Sequence, residues 1–183
     1  MQTNVLVPVA QGIEEMEAIT IVDILRRAGA NVTIGSVDEI KIAASKGIVF
    51  MADALIKDLM DKEFDLIALP GGIPGAQNLR NSKELETLLK KQATEKKYYA
   101  AICASPAVVL HDLGLVRPGF VTCHPGFSNL IDDGKVKDSK VVVDGNCITS
   151  KGAGTAVDYA LKLVELLFSK EKVKEVAQGL AIS

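Results

Sequence analysis

Three near-continuous apolar runs constrain what this chain can fold into more than any other feature: Asn4-Val5-Leu6-Val7-Pro8-Val9-Ala10, Phe64-Asp65-Leu66-Ile67-Ala68-Leu69-Pro70 and Tyr98-Tyr99-Ala100-Ala101-Ile102. Each is short enough for a strand and lacks polar alternation, the signature of strands covered on both faces. Between the first run and the next β-prone run, Asn31 to Val37, the residues from Glu14 to Ala28 place Met16, Ile19, Val22, Leu25 and Ala28 at spacings of three. Acids stand in the first turn of that stretch, Arg26 and Arg27 in its last, and Gly29 just beyond, so it reads as a helix. A second helix is expected from about Ser82 to Lys96, with Ser82 as N-cap and Leu85, Leu88 and Leu89 as its stripe. A third runs from Ala156 to Phe168 through Val157, Ala160, Leu161, Val164 and Leu167, and a last one starts at Lys170. Ile40 to Ala43 and Ile48 to Met51 read as a small antiparallel insertion or sheet edge. Gly119 to Cys123 reads as a further strand. Lys140 to Val143 and Asn146 to Thr149 read as a hairpin turning at Asp144-Gly145. The alternation implies an α/β sandwich, a mostly parallel central sheet with helices on both faces.

Length and composition fit one domain, expected over 1–183, with a core that needs no metal or disulfide staple. The formal net charge is −2 and only 4% of residues are aromatic, so neither a basic footprint nor a base-stacking platform marks a nucleic-acid site. Cys103, Cys123 and Cys147 are an odd set without a Cys-x-x-Cys pair, which fits a reducing compartment. His111 and His124 show no zinc-ligand spacing with them. The N-terminus lacks a basic region followed by a long apolar core, and no run reaches membrane-spanning length, so a cytoplasmic protein is expected.

In a sheet of this kind ligands collect beyond the carboxyl ends of the strands, at a topological switch point. The run ending Ile102-Cys103-Ala104-Ser105-Pro106 has the form of a nucleophile elbow: a strand hands a cysteine to a helix start, and the following N–H groups can meet an oxyanion. Pro106 suits a first helical turn. A buried cysteine acting as a small hydrophobe fits the same residues. Glu17, one turn into the first helix, is placed to lean over the edge where Cys103 emerges, or to be a solvated carboxylate favoured by the helix dipole, a reading that suits Glu14 and Glu15 better. His124 follows a β-prone run and is either a proton-exchange partner or a structural histidine. Gly71 and Gly72 offer backbone N–H groups close to a ligand, or form an ordinary tight turn. No Gly-x-Gly-x-x-Gly or phosphate-loop ending follows any strand, so no nucleotide cofactor is expected. Gly152-Ala153-Gly154-Thr155 reads as the turn before a helix.

Taken together, Gly12-Ile13-Glu14-Glu15-Met16-Glu17, Asp23-Ile24-Leu25-Arg26-Arg27-Ala28-Gly29, Leu69-Pro70-Gly71-Gly72, Gly75-Ala76-Gln77-Asn78, Ala100-Ala101-Ile102-Cys103-Ala104, His124-Pro125 and Thr149-Ser150-Lys151-Gly152 resemble the ThiJ/PfpI superfamily, in the branch of the Parkinson-disease-associated protein deglycase. The stretches run in family order across nearly the whole chain. The resemblance implies a flavodoxin-like three-layer sandwich of the class I glutamine amidotransferase-like kind, usually a homodimer, with Cys103 as the reactive cysteine, Glu17 as its protonated carboxylic-acid partner and His124 nearby. It also implies that Gly71, Gly72 and Ala104 line an anion pocket beside the sulfur. The chain departs from the family pattern at Lys46 and Lys151, where relatives carry arginine, and at Ala153, where they carry proline. A lysine there offers a point charge in place of a bidentate fork.

The expected activity is cofactor-free, cysteine-dependent removal of reactive dicarbonyls: conversion of methylglyoxal to lactate without glutathione, or deglycation of early protein adducts. The alternative is an oxidative-stress sensor or protective chaperone switched by oxidation of Cys103. The partners implied are a small dicarbonyl or a glycated protein, with no metal, membrane or dedicated nucleic-acid site.

Overall fold

A computed structural model of the chain describes residues 2–182, the side chain of Asp133 apart; Met1 and Ser183 of the expected 1–183 domain lie outside the described residues. Nine strands and five α-helices follow in order: β1 (Asn4–Val9), α1 (Glu15–Arg27), β2 (Asn31–Ser36), β3 (Lys41–Ala43), β4 (Val49–Met51), β5 (Ala54–Leu55), β6 (Leu66–Leu69), α2 (Gly75–Asn81), α3 (Lys83–Thr94), β7 (Tyr98–Ile102), β8 (Val141–Asp144), β9 (Cys147–Ser150), α4 (Ala156–Leu167) and α5 (Lys170–Gly179). The three apolar runs are β1, β6 and β7, adjacent at the centre of a 7-stranded sheet of order β5-β2-β1-β6-β7-β9-β8. They pair in parallel, Val5 with Leu66 and Ile67 with Tyr99, and are covered on both faces, which is why their sequence does not alternate. Only β8 runs antiparallel, paired with β9. The fold is the flavodoxin-like α/β sandwich, and the core lies between this sheet and the helices around it.

The insertion is as expected, β3 and β4 forming an antiparallel pair with Ile42 opposite Phe50. Ser82 caps α3, its side chain accepting the Leu85 N–H at 3.2 Å. Other expectations need correction. Gly119 to Cys123 is not a strand: Thr122 N–H donates to Thr149 Oγ1, and Val121 O accepts from Lys137 N–H, so side-chain and loop partners replace a ladder. The hairpin turns one residue later, at Gly145-Asn146, with Asp144 paired to Cys147 and Gly145 at φ +61°. In α1 the buried face runs through Glu17, Ala18, Ile21, Ile24 and Leu25, while Met16 and Ile19 are exposed. In α4 Tyr159 and Leu163 are buried and Val157 is exposed. Spacing of three marks a helix correctly but leaves the centre of its buried stripe open by a position or two, because a turn is 3.6 residues. Helix α2 had no periodic signal of its own.

Candidate active site

The order of the sheet makes the site. From β1 the chain crosses outward to β2, and from β6 it crosses the other way to β7, so a crevice opens at the carboxyl ends of β1 and β6. Helix α1 follows β1 and carries Glu17. The Pro70-Gly71-Gly72 loop follows β6, Cys103 follows β7, and Lys151 and Gly152 follow β9.

Cys103 sits at φ +65°, in the left-handed region that costs a non-glycine residue about 1–2 kcal/mol. Its N–H donates to Ser150 O at 3.0 Å and its carbonyl accepts the His124 N–H at 2.8 Å, so the elbow is clamped from two sides. The segment after it, Pro106–His111, is a short π-type helix with Pro106 in its first turn. Ser105, fully buried, donates its hydroxyl to Pro70 O at 2.5 Å and stitches the elbow to the neighbouring loop. Gly71 passes so close that a Cβ on it would stand 2.6 Å from Cys103 Cβ and 3.0 Å from Ala104 N. Gly72, at φ +87°, would press a Cβ to 2.4 Å from Glu14 N. The loop therefore needs glycine at both positions, at Gly71 to approach the elbow and at Gly72 to approach the turn before α1.

Glu17 is fully buried. Its Oε2 accepts the Gly71 N–H at 2.7 Å, Oε1 has no hydrogen-bond partner among the described residues, and the carboxyl and the Cys103 thiol each shift the other's proton affinity. Burial pushes the Glu17 carboxyl up to about 7, against the Gly71 N–H and the thiol, with nearby Glu14 adding to the rise. Burial, then the Glu17 charge, pushes the Cys103 thiol up to about 12, against N–H groups of Gly72 and Ala104. The two rises belong to one pair. When the first proton has left, the second lies between oxygen and sulfur, and a protonated Glu17 reverses its sign, donating to the thiolate instead of repelling it.

His124 is exposed at the mouth, its Nδ1 accepting the Gly126 N–H at 3.1 Å, which leaves the proton of a neutral ring on Nε2. Phe127 meets the ring edge-on at 5.9 Å between centroids. Cys103, Glu17 and His124 share a cavity of about 400 Å³ with Glu14, Lys151, Gly152 and Thr155. Gly72 and Ala104 face the sulfur through their backbone N–H groups, whereas the Gly71 N–H goes to Glu17 and its Cα packs against Cys103 Cβ.

The sequence reading missed the part played by Gly152 to Thr155, which forms one wall of the cavity. Its signal was available, since the segment follows the strand next to β7. Glu15 was missed as well. It is buried, and it accepts from Lys46 N–H at 2.9 Å and Ile48 N–H at 3.3 Å, with the Ser45 hydroxyl shared between it and Glu14. The Lys46 backbone is thus held by Glu15, and Lys46 does not line the cavity. Lys151 does, paired with Asp138. Among the described residues no cluster of three or more His, Cys, Asp or Glu could hold a metal ion, and no helix is long and apolar enough to cross a membrane.

Comparison with known proteins bears on the family and the fold. The family model described as the DJ-1/PfpI family matches residues 3–166. Protein DJ-1 homolog B of Arabidopsis thaliana is 43% identical over 181 residues, which is 98% of this chain and 41% of that protein, so the chain spans about two-fifths of that relative's length. A Caenorhabditis elegans protein named glutathione-independent glyoxalase DJR-1.2 is 36% identical over 93% of this chain and 91% of its own. The structure of Toxoplasma gondii DJ-1, oxidized, superposes with a TM-score of 0.95 at 41% identity, covering 99% of both chains. A match that takes in the strands, the elbow and the Glu17 helix, with relatives of this identity along the whole chain, means that this protein belongs to the DJ-1/PfpI family.

Proposed function

We propose that the protein is a cofactor-free enzyme that converts small 2-oxoaldehydes such as methylglyoxal to 2-hydroxy acids, with Cys103 as nucleophile and Glu17 as its proton partner. The observation that carries the reading is the buried carboxyl of Glu17 set against a cysteine on a clamped elbow. The Cys103 thiolate adds to the aldehyde carbon: an S–C bond forms, the C=O pair moves to oxygen, and that oxygen takes the proton held by Glu17. The Glu17 carboxylate then removes the proton on the former aldehyde carbon, giving an enediolate with its charge on the former keto oxygen. Return of that proton to the neighbouring carbon, with the hydroxyl proton passing from the former aldehyde oxygen to the former keto oxygen, leaves a thioester. Water breaks the S–C bond and releases the hydroxy acid and the thiolate. The sum is addition of one water, with no oxidant or reductant. His124, with Nε2–H at the cavity mouth, donates to the oxygen of the adduct, and the N–H groups of Gly72 and Ala104 face the sulfur side. The name of the nematode relative supports this chemistry, and lyase action on free dicarbonyls is preferred to hydrolysis of protein adducts.

Lactate formation from methylglyoxal, in the absence of glutathione and metal, tests it. Multiple turnovers by the protein and loss of at least about a hundredfold in Cys103→Ser are expected; equal rates in the two would overturn the reading. Oxidation sensing is the second reading, favoured by Cys103 being less buried than Cys123 and Cys147. A holdase activity that appears only after reversible oxidation of Cys103, with no dicarbonyl turnover, would put it first.

A further inference from the structure

Gly152 is a glycine that neither conformation nor packing explains. Its backbone is extended, at φ 161° and ψ −171°, which any residue adopts. A Cβ on Gly12, Gly71, Gly72 or Gly75 would press to within 2.5, 2.6, 2.4 and 2.5 Å of a neighbour, so the fold needs those four. A Cβ on Gly152 would meet its nearest neighbours at ordinary contact distances, and those neighbours are the three groups of the site: His124 Cδ2 at 3.5 Å, Cys103 Sγ at 3.9 Å and Glu17 Oε1 at 3.9 Å. The point where that methyl would stand is the middle of the reacting triangle.

The backbone there is held firmly. Gly152 N–H donates to Thr155 Oγ1 at 3.2 Å, Thr155 and Ser150 hydroxyls lie 2.7 Å apart, and Ser150 donates to Lys140 O at 2.7 Å, while Thr155 N–H returns to Gly152 O at 2.8 Å. With one proton per hydroxyl, a single chain from Gly152 through Thr155 and Ser150 to Lys140 O satisfies every group.

We propose that Gly152 is the specificity-determining residue of this site: the space left by its missing side chain receives the carbonyl-bearing substituent on the carbon that Cys103 attacks, and limits it to about the size of a formyl or acetyl group. A carbon bonded to Sγ lies well inside 3.9 Å of it, so a group carried on that carbon is within reach of this point. The inference deepens the proposed dicarbonyl chemistry and names its substrate class as free two- and three-carbon oxoaldehydes.

The test compares Gly152→Ala with the unaltered protein in the rate at which Cys103 is alkylated by iodoacetamide and by N-phenylmaleimide, followed by intact mass, with Cys103→Ser as the blank. The expected result is a folded variant in which the ratio of the bulky to the small reagent's rate falls about tenfold or more, the scale on which a pocket rejects one extra carbon. Glyoxal should likewise be favoured over methylglyoxal by about tenfold more than in the unaltered protein. A ratio changed by less than about twofold overturns the proposal. So does a variant that fails to fold, since the proposal holds that the fold does not need this glycine. Alkylation does not depend on turnover: if the unaltered protein makes no lactate, the proposed chemistry falls while the ratio still decides the role of Gly152.

Discussion

Glu17 shows what a single buried carboxyl does to the whole stability curve. Its folded pKa of about 7 lies above the ordinary 4.5, so the folded state holds a proton that the unfolded chain has already released. The contribution is intact below pH 4.5 and is lost as pH rises to about 7, to a total of about 3 kcal/mol. Glu17→Gln keeps the size and an oxygen for the Gly71 N–H but has no proton to lose. Denaturant melts should therefore show it more stable than the unaltered protein by up to about 3 kcal/mol at pH 8 and nearly equal at pH 4, while its lactate formation falls steeply. A variant no more stable at pH 8 would contradict the burial argument. At this scale Cys103 was legible because an elbow is written in consecutive residues, strand, cysteine, small residues and proline. The contact of Glu17 with Gly71 and the convergence on Gly152 were not, because they join residues far apart in the chain.

Among the elements, the β3–β4 hairpin is held to the start of α1 by Glu15 and by the Ser45 N–H bond to Ile13 O at 2.8 Å. Burial pushes the Glu15 carboxyl up, but hydrogen bonds from its own N–H, Ile48 N–H, the Ser45 hydroxyl and Lys46 N–H outweigh it and hold the group below 4.5. Glu15→Gln puts an amide among donors and should cost about 1–3 kcal/mol at neutral pH. The deficit should fade in acid, because a lowered carboxyl lends stability above its ordinary value and loses it as pH falls through the folded one. Faster amide exchange confined to Ser45 to Ile48 would locate the loss; an unchanged melt at pH 7 would refute it. Strands buried on both faces and the Ser82 cap were legible because local composition dictates them. Gly119 to Cys123 misled because β-prone residues there find loop and side-chain partners instead of a strand, a choice made by tertiary contacts.

For the molecule as a whole, alternation of element types announced a parallel sheet, while the order that puts β1 beside β6 had no local signal. The misplaced stripe of α1 has a consequence at this scale. Met16 is 60% exposed and Met51 59%, with Ile19, Ile48 and Val49 also exposed, and Glu15 ties the two segments together. We propose that this apolar face is covered by a second copy of the chain. Sedimentation should give the mass of two chains for the unaltered protein and of one for Ile19→Glu; a single-chain mass for both would exclude the dimer. The sheet's switch point brings Cys103 and Glu17 together, and the account rests on where their shared proton lies. The most direct measurement is the rate of Cys103 alkylation by iodoacetamide as a function of pH. With the remaining proton of the pair on Glu17, a plateau through neutral pH is expected, which Glu17→Gln abolishes or shifts. A rate that climbs without a plateau towards the second step, near 12, would mean that the proton stays on sulfur and would contradict it.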